Sequence, residues 1–345
     1  MDFQGFNCRF YRLYDIENIN PLNFEVFMLF LNKVEIQKID QYTIQAAVEQ
    51  AYRLVLSKAY NMPDRMHVAD KENILLLMPC FSQNFFATKL VSVFPEAAQH
   101  GQPAVNGVMV LSDNGSGKPL AIMDGAALTA QRTGAVGGLG VKLLTSETVK
   151  TAGVLGAGVQ GLSQARYLLF NRKIKTLYIC DLHKESAINM SCTLKKEYPD
   201  VEYVIADHPD HLVENASLIV AATTSRKPLF EISPESVKGK TFISIGSFQP
   251  DMQEFPDTVI ENVDHVFVDT LFAARESGDI AIPLKKHIVI KEKIKEFAQL
   301  LEKNSYSEDK TVFFKSVGMA LFDLMVASAI YQQAMENSIG QVLDF

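Results

Sequence analysis

The sequence predicts an α/β fold built around a doubly wound parallel sheet, on three observations. An apolar run, Ala152 to Leu155, leads straight into three glycines spaced as Gly156-Ala157-Gly158-Val159-Gln160-Gly161, and a helical stretch, Leu162 to Phe170, follows. A second strand, Thr176 to Cys180, ends in Asp181. Strand and helix patterns then alternate through Tyr203 to Ala206, Leu218 to Ala222 and Phe242 to Ile245, as an open parallel sheet requires.

Each part of the glycine unit has a physical task. Gly156 permits a tight turn, Gly158 lets the backbone approach a pyrophosphate, and Gly161 lets the helix pack closely on the strand. The helix start turns its unpaired N–H groups and the positive end of its dipole toward the phosphates. Asp181 falls about 20 residues past the last glycine, where a carboxylate accepts hydrogen bonds from the adenosine ribose. The unit therefore reads as a Rossmann-type dinucleotide site, with Gly156, Gly158, Val159, Gln160, Gly161 and Asp181 as cofactor-binding residues. A carboxylate at 181 repels the additional phosphate of NADP and favours NAD, while His183 and Lys184 behind it offset part of that repulsion and leave NADP open. Ligands of such sheets sit outside the carboxyl ends of the strands, so Ala221-Ala-Thr-Thr-Ser225 and Ile245-Gly-Ser-Phe248 are expected to line the crevice, through Thr223 and Ser247.

Ahead of this unit the pattern changes. Residues 1–27 are aromatic and irregular and read as an N-terminal extension; Met28-Leu-Phe-Leu begins a strand-like pattern. Ile44, Val48, Ala51, Tyr52 and Val55 fall at helical spacing. Strand-like runs follow at Ile74 to Met78, Phe85 to Val93, Val105 to Leu111 and Leu120 to Met123, two of them separated by the turn Asp113-Asn-Gly-Ser-Gly117, which suggests an antiparallel sheet. A last apolar helix, about Val317 to Met335, is expected to return and pack on this first part.

Composition narrows the function. The 345 residues suggest about two domains, and 48% apolar residues are enough for real cores. Lys and Arg number 33 against 40 Asp and Glu, a formal charge of −7, and no basic run is interleaved with aromatics, which argues against nucleic acid as a partner. No apolar stretch approaches the roughly 18 residues that span a bilayer, and the first residues lack the pattern of a signal peptide, so no membrane association and a cytoplasmic location are expected. Cys8, Cys80, Cys180 and Cys192 are scattered, and the seven histidines lack ligand spacing, so no metal is expected.

Three cations stand in apolar surroundings: Arg65 after a proline, Lys89 within Phe85-Phe-Ala-Thr-Lys-Leu-Val, and Arg132 in Leu128-Thr-Ala-Gln-Arg-Thr133. A buried cation needs a partner, and a substrate carboxylate is one; the fork of an arginine grips it at two points. A local Asp or Glu is the competing partner. Thr133 is assigned to the cofactor beside Arg132.

Met123-Asp-Gly-Ala-Ala-Leu-Thr-Ala-Gln-Arg-Thr-Gly-Ala-Val136, the glycine loop, Glu276-Ser-Gly-Asp279 and Phe314-Lys-Ser-Val-Gly-Met-Ala-Leu321 together resemble the ornithine cyclodeaminase and mu-crystallin family, from about Met28 to the C-terminus. The resemblance implies a nucleotide-binding Rossmann domain, 143–311, inserted into an α+β substrate-binding and dimerisation domain, 28–142 plus 312–345, and a homodimer. It implies that Arg65, Lys89 and Arg132 hold the carboxylate of a small imino or amino acid beside the nicotinamide. Cyclodeaminases of that family carry an aspartate where Phe248 stands, a glutamate at Leu76 ahead of Met78-Pro79, and a threonine at Ala104. Apolar residues at the first two positions argue against a diamino acid, with Asp251 as a shifted substitute.

The expected activity is hydride transfer from a nicotinamide to an imine carbon beside a carboxylate, of the ketimine reductase or amino acid dehydrogenase type. Ornithine cyclodeamination and nucleotide-dependent binding without turnover are the alternatives. Lys89 is the candidate catalytic proton donor if burial lowers its pKa, and His67 is a weaker one.

Overall fold

The computed structural model describes residues 27–302 and 310–344. The N-terminal extension and Cys8 lie outside the described residues, except for Phe27. Alternating strand patterns in the first part pair as the turns between them dictate. Strands β1 (Phe27–Leu31), β2 (Met66–Asp70), β3 (Asn73–Phe81), β4 (Phe85–Val93), β5 (Val105–Asp113) and β6 (Pro119–Asp124) form one sheet with the C-terminal strand Gln341–Asp344. The order is Gln341–Asp344, β1, β6, β5, β4, β3, β2. All pairs are antiparallel except β1 with β6.

Period-two alternation sorts the faces of this sheet. The inward row Met78, Lys89, Met109 and Met123, aligned by strand register, is buried, whereas the outward row Met66, Leu90 and Val108 is exposed. Helices Gly125–Leu144 and Ala320–Glu336 cover the inner face, and the Gln41–Ser57 helix packs on both of them. Gln41–Ser57 starts at an Asp40 cap and Gly125–Leu144 at an Asp124 cap, whose carboxylates accept from Thr43 N and from Ala126 N and Ala127 N.

The second sheet contains β7 (Thr151–Leu155), β8 (Thr176–Cys180), β9 (Glu202–Ile205), β10 (Leu218–Ala221), β11 (Thr241–Ser244), β12 (His265–Val268), β13 (Ile294–Glu296) and β14 (Val312–Lys315), in the order β13, β12, β14, β11, β10, β7, β8, β9. Every pair in it is parallel. Val154, Ile179, Val220, Ile243 and Phe314 bury one face in a core shared with the first sheet. Ile219, Phe242, Val266 and Phe313 bury the other in a separate core. This is the doubly wound α/β sheet, and its order reverses between β7 and β10.

Two expectations need correction. A boundary at 312 assigns Val312–Lys315 to the substrate-binding part, but this strand is hydrogen-bonded between β11 and β12 in the parallel sheet. Its apolar run Val312-Phe-Phe314 is what a strand buried on both faces requires, and the buried Lys315 closes it. The last helix begins at Ala320 rather than Val317, because Gly318 takes a left-handed turn with φ of 75°.

The two sheets are joined where the Gly125–Leu144 helix crosses the Val159–Asn171 helix. A Cβ added at Gly134 stands 2.2 Å from Ser163 Oγ and 2.6 Å from the Tyr167 ring, and one at Gly138 stands 2.8 Å from Tyr167 Cβ. Only glycine allows so close a crossing. Gly134→Ala gains about 1 kcal/mol of helix propensity yet is expected to destabilise the chain by about 1–3 kcal/mol through overpacking. A lowered melting temperature in calorimetry checks this, and an unchanged or raised one contradicts it.

Candidate active site

The glycine loop follows β7 at the topological switch. Gly156 has φ of 95°, and a Cβ there meets Ala222 O at 2.7 Å; a Cβ at Gly161 meets Gly156 O at 1.8 Å. Gly158, by contrast, faces open space and caps the Val159–Asn171 helix with no side-chain hydrogen bond, so the first N–H groups of that helix are left for a ligand. Val159 is exposed, and Gln160 Oε1 and Thr133 Oγ1 are buried polar atoms without a partner among the described residues. Asp181 accepts from Ala157 N at 2.6 Å and from His183 N at 2.8 Å, which holds its carboxylate against the loop with lone pairs to spare. Lys184 is turned away into an ion pair with Asp207 at 2.6 Å.

Arg65, Lys89 and Arg132 converge from three separate elements. Lys89 points inward from β4, with Nζ 2.8 Å from Asp323 Oδ2 and 3.3 Å from Thr129 Oγ1. Arg132 Nε donates to Asp323 Oδ1 at 3.1 Å. Asp323, one turn into the last helix, is completely buried between them. Arg65 Nη2 lies 3.2 Å from Glu276 and donates to Gly318 O at 3.2 Å, while a Cβ at Gly318 stands 2.2 Å from Arg132 Nη1. Gly318 thus lies between the two guanidinium groups. Burial brings the Lys89 pKa down to about 8; Asp323 opposes the shift, and Arg132 and Arg65 add to it. Burial also raises the Glu276 carboxyl above its ordinary value, against the pull of Arg65. A cavity of about 590 Å³, lined by Arg65, Met78, Asp269, Glu276 and Gly318, opens beside this cluster.

Behind the ends of β10 and β11 lies a second buried charge network. Glu254 accepts from Thr223 N at 2.6 Å, Thr223 Oγ1 at 2.9 Å, Gly246 N at 2.8 Å and Ser247 N at 3.0 Å. Asp279 accepts from Glu254 N at 2.7 Å and Phe255 N at 3.0 Å, and Lys315 Nζ donates to Ser244 Oγ, which also lies 2.6 Å from Asp279. Burial raises both carboxyl groups and lowers the lysine.

This network revises two sequence expectations. Ser247 is fully buried, its hydroxyl 2.6 Å from Met252 O and 2.7 Å from Ser277 Oγ, so its side chain does not face the crevice. Thr223 commits both its N–H and its hydroxyl to Glu254. Asp251, the shifted substitute, is tied to Arg226 at the surface. Phe248 is half exposed, and His67 lies on the exposed edge strand β2, away from the buried Lys89. Sequence reasoning misses Asp323, Glu254 and Asp269; for Asp323 an acid inside an otherwise apolar helix is the available signal, the same one that singles out the cations, whereas Glu254 and Asp269 lie outside helices and strands and give no such signal. Among the described residues no group of three or more His, Cys, Asp or Glu is placed to hold a metal, and no helix is long and apolar enough to cross a membrane.

Comparison with known proteins agrees with this geometry. Delta(1)-pyrroline-2-carboxylate reductase of Bacillus cereus is 31% identical over 322 residues, covering 91% of this chain and 97% of its own. The structure of the Thermococcus litoralis Delta(1)-pyrroline-2-carboxylate reductase in complex with NADH and L-proline matches with a TM-score of 0.83 at 28% identity, over 91% of this chain and 99% of that one. An archaeal alanine dehydrogenase dimer with bound NAD matches with a TM-score of 0.83 at 25% identity, over 92% and 99%. The family model for ornithine cyclodeaminase and mu-crystallin spans residues 25–338, and the chain belongs to that family.

Proposed function

We propose that this chain is an NAD-dependent reductase of a small cyclic imine that bears one carboxylate beside its C=N carbon. The observation that carries the reading is the convergence of Arg65, Lys89 and Arg132. Lys89 and Arg132 share the single carboxylate of Asp323 while Arg65 faces Glu276, so the cluster gathers guanidinium and ammonium donors on one point where a substrate carboxylate is attracted. The relatives that reduce pyrroline-2-carboxylate support it.

The residues around Gly156 fit a dinucleotide: an uncapped helix start, open space at Gly158, and two unpartnered polar atoms at Thr133 and Gln160. When bound, NADH supplies the hydride. Arg65 and Arg132 fix the carboxylate and so orient the imine carbon, which lowers the barrier by orientation rather than by chemistry of their own. The imine nitrogen receives the π electron pair and takes a proton from the Lys89 ammonium, whose depressed pKa suits it to a donor near neutral pH. Asp323 keeps Lys89 and Arg132 in place.

The exposed outer row of the first sheet, Met66, Leu90 and Val108, suits a homodimer in which a second copy covers it. The alanine dehydrogenase neighbour is a dimer. Free, buried Cys80 and Cys180 suit a reducing compartment, the cytoplasm.

Following NADH absorbance with Delta(1)-pyrroline-2-carboxylate, pyruvate with ammonia, and ornithine tests the reading: stoichiometric consumption is expected with the cyclic imine. Ammonia release from ornithine with no NADH consumed on any substrate overturns it. Lys89 acts only while protonated, so kcat/KM is expected to fall as pH rises through about 8. Lys89→Gln is expected to lose about 10²–10⁴ in kcat and to abolish that fall; a variant that keeps the same pH profile rules Lys89 out as donor. Asp181→Ser is expected to shift the NADPH to NADH preference by about tenfold or more, read as the ratio of kcat/KM values.

A further inference from the structure

The turn Ser316–Gly318 stands where the two arginines meet, because its Gly318 carbonyl accepts from Arg65 and its Gly318 Cα packs against Arg132. A left-handed turn does not hold itself in one place. One carboxylate holds this one: Asp269 Oδ2 accepts from Ser316 Oγ at 2.8 Å, Val317 N at 2.9 Å and Gly318 N at 2.9 Å. The other oxygen accepts from Tyr52 OH at 2.6 Å. Asp269 is 1% exposed and Tyr52 is fully buried.

The three partners come from different parts of the fold. Asp269 directly follows β12 of the parallel sheet, Tyr52 lies on the Gln41–Ser57 helix of the first part, and Gly318 is in the link to the last helix. Tyr52 packs its ring against Phe297 and Phe322, at centroid distances of 4.8 and 4.9 Å, so its hydroxyl is fixed in direction. Four donors on one buried carboxylate are charge-assisted and directional.

We propose that Asp269, buttressed by Tyr52, is a positioning residue that sets the separation and aim of Arg65 and Arg132 through the Ser316–Gly318 turn. The inference rests on the reading that those arginines grip the substrate carboxylate. Asp269→Asn keeps the shape but removes the charge, and its amide nitrogen must face either the turn donors or Tyr52. Tyr52→Phe removes one bond to the same carboxylate and leaves the ring packing.

The test is calorimetric binding of L-proline to the NAD-loaded full chain, beside fluorescence titration of NADH. Asp269→Asn is expected to weaken L-proline by about tenfold, and Tyr52→Phe by a smaller factor in the same direction, with NADH affinity held within about twofold. A general structural defect moves NADH affinity as well. Arg132→Lys separates the two levels of the argument. If wild type does not bind L-proline, or Arg132→Lys leaves that binding unchanged, the reading of the arginines fails and the inference with it. If Arg132→Lys weakens L-proline while Asp269→Asn does not, Asp269 has no positioning role. Should Asp269→Asn fail to fold, Tyr52→Phe decides by the same readout: weakened L-proline with unchanged NADH supports the assignment, and unchanged L-proline overturns it.

Discussion

The site depends on one buried carboxylate, Asp323, lying between two buried cations. Lys89 sits on β4 in a row with Met78, Met109 and Met123 of the neighbouring strands, and Arg132 sits in the middle of an apolar helix. Either charge alone in that place costs several kcal/mol, so the fold tolerates them only because the last helix brings Asp323 to both. The chain must therefore travel through the entire parallel sheet before the first part can be completed. That order also explains why the site lies at the meeting of β4, the Gly125–Leu144 helix and the Ala320–Glu336 helix rather than on a surface loop.

Much of this was legible in the residues. The strand from Phe85 to Val93 was read with its exact ends, as was Thr176 to Cys180, because period-two alternation or a short β-branched run bounded by turn residues leaves little choice. Val312–Lys315 falls to the wrong part in the sequence reading, since its four residues lie far along the chain from β11 and β12, and nothing local says which strands it separates. The start of the last helix was misjudged by three residues because a tertiary contact to Asp269, not local propensity, holds Gly318 out of it.

The cations were found by the cost of burying them, and the same reasoning applied to acids would have found their partners. Ser247 shows the limit of placing contacts by strand ends: the position at the end of β11 was right, but the direction of a hydroxyl depends on neighbours such as Met252 that a sequence does not align with it. Glu254 takes up those loop donors instead and holds the ends of β10 and β11 together from behind.

The crossing at Gly134 and Gly138 has a mechanical consequence. With backbone resting almost on side-chain stems, no layer of long residues is left there to slide or roll, so the two sheets have no slack at the joint through which a cleft swings wide. Selection by size is then a matter of caliper rather than jaw, and a bulkier guest has to be met by different residues along the rim, not by a larger opening.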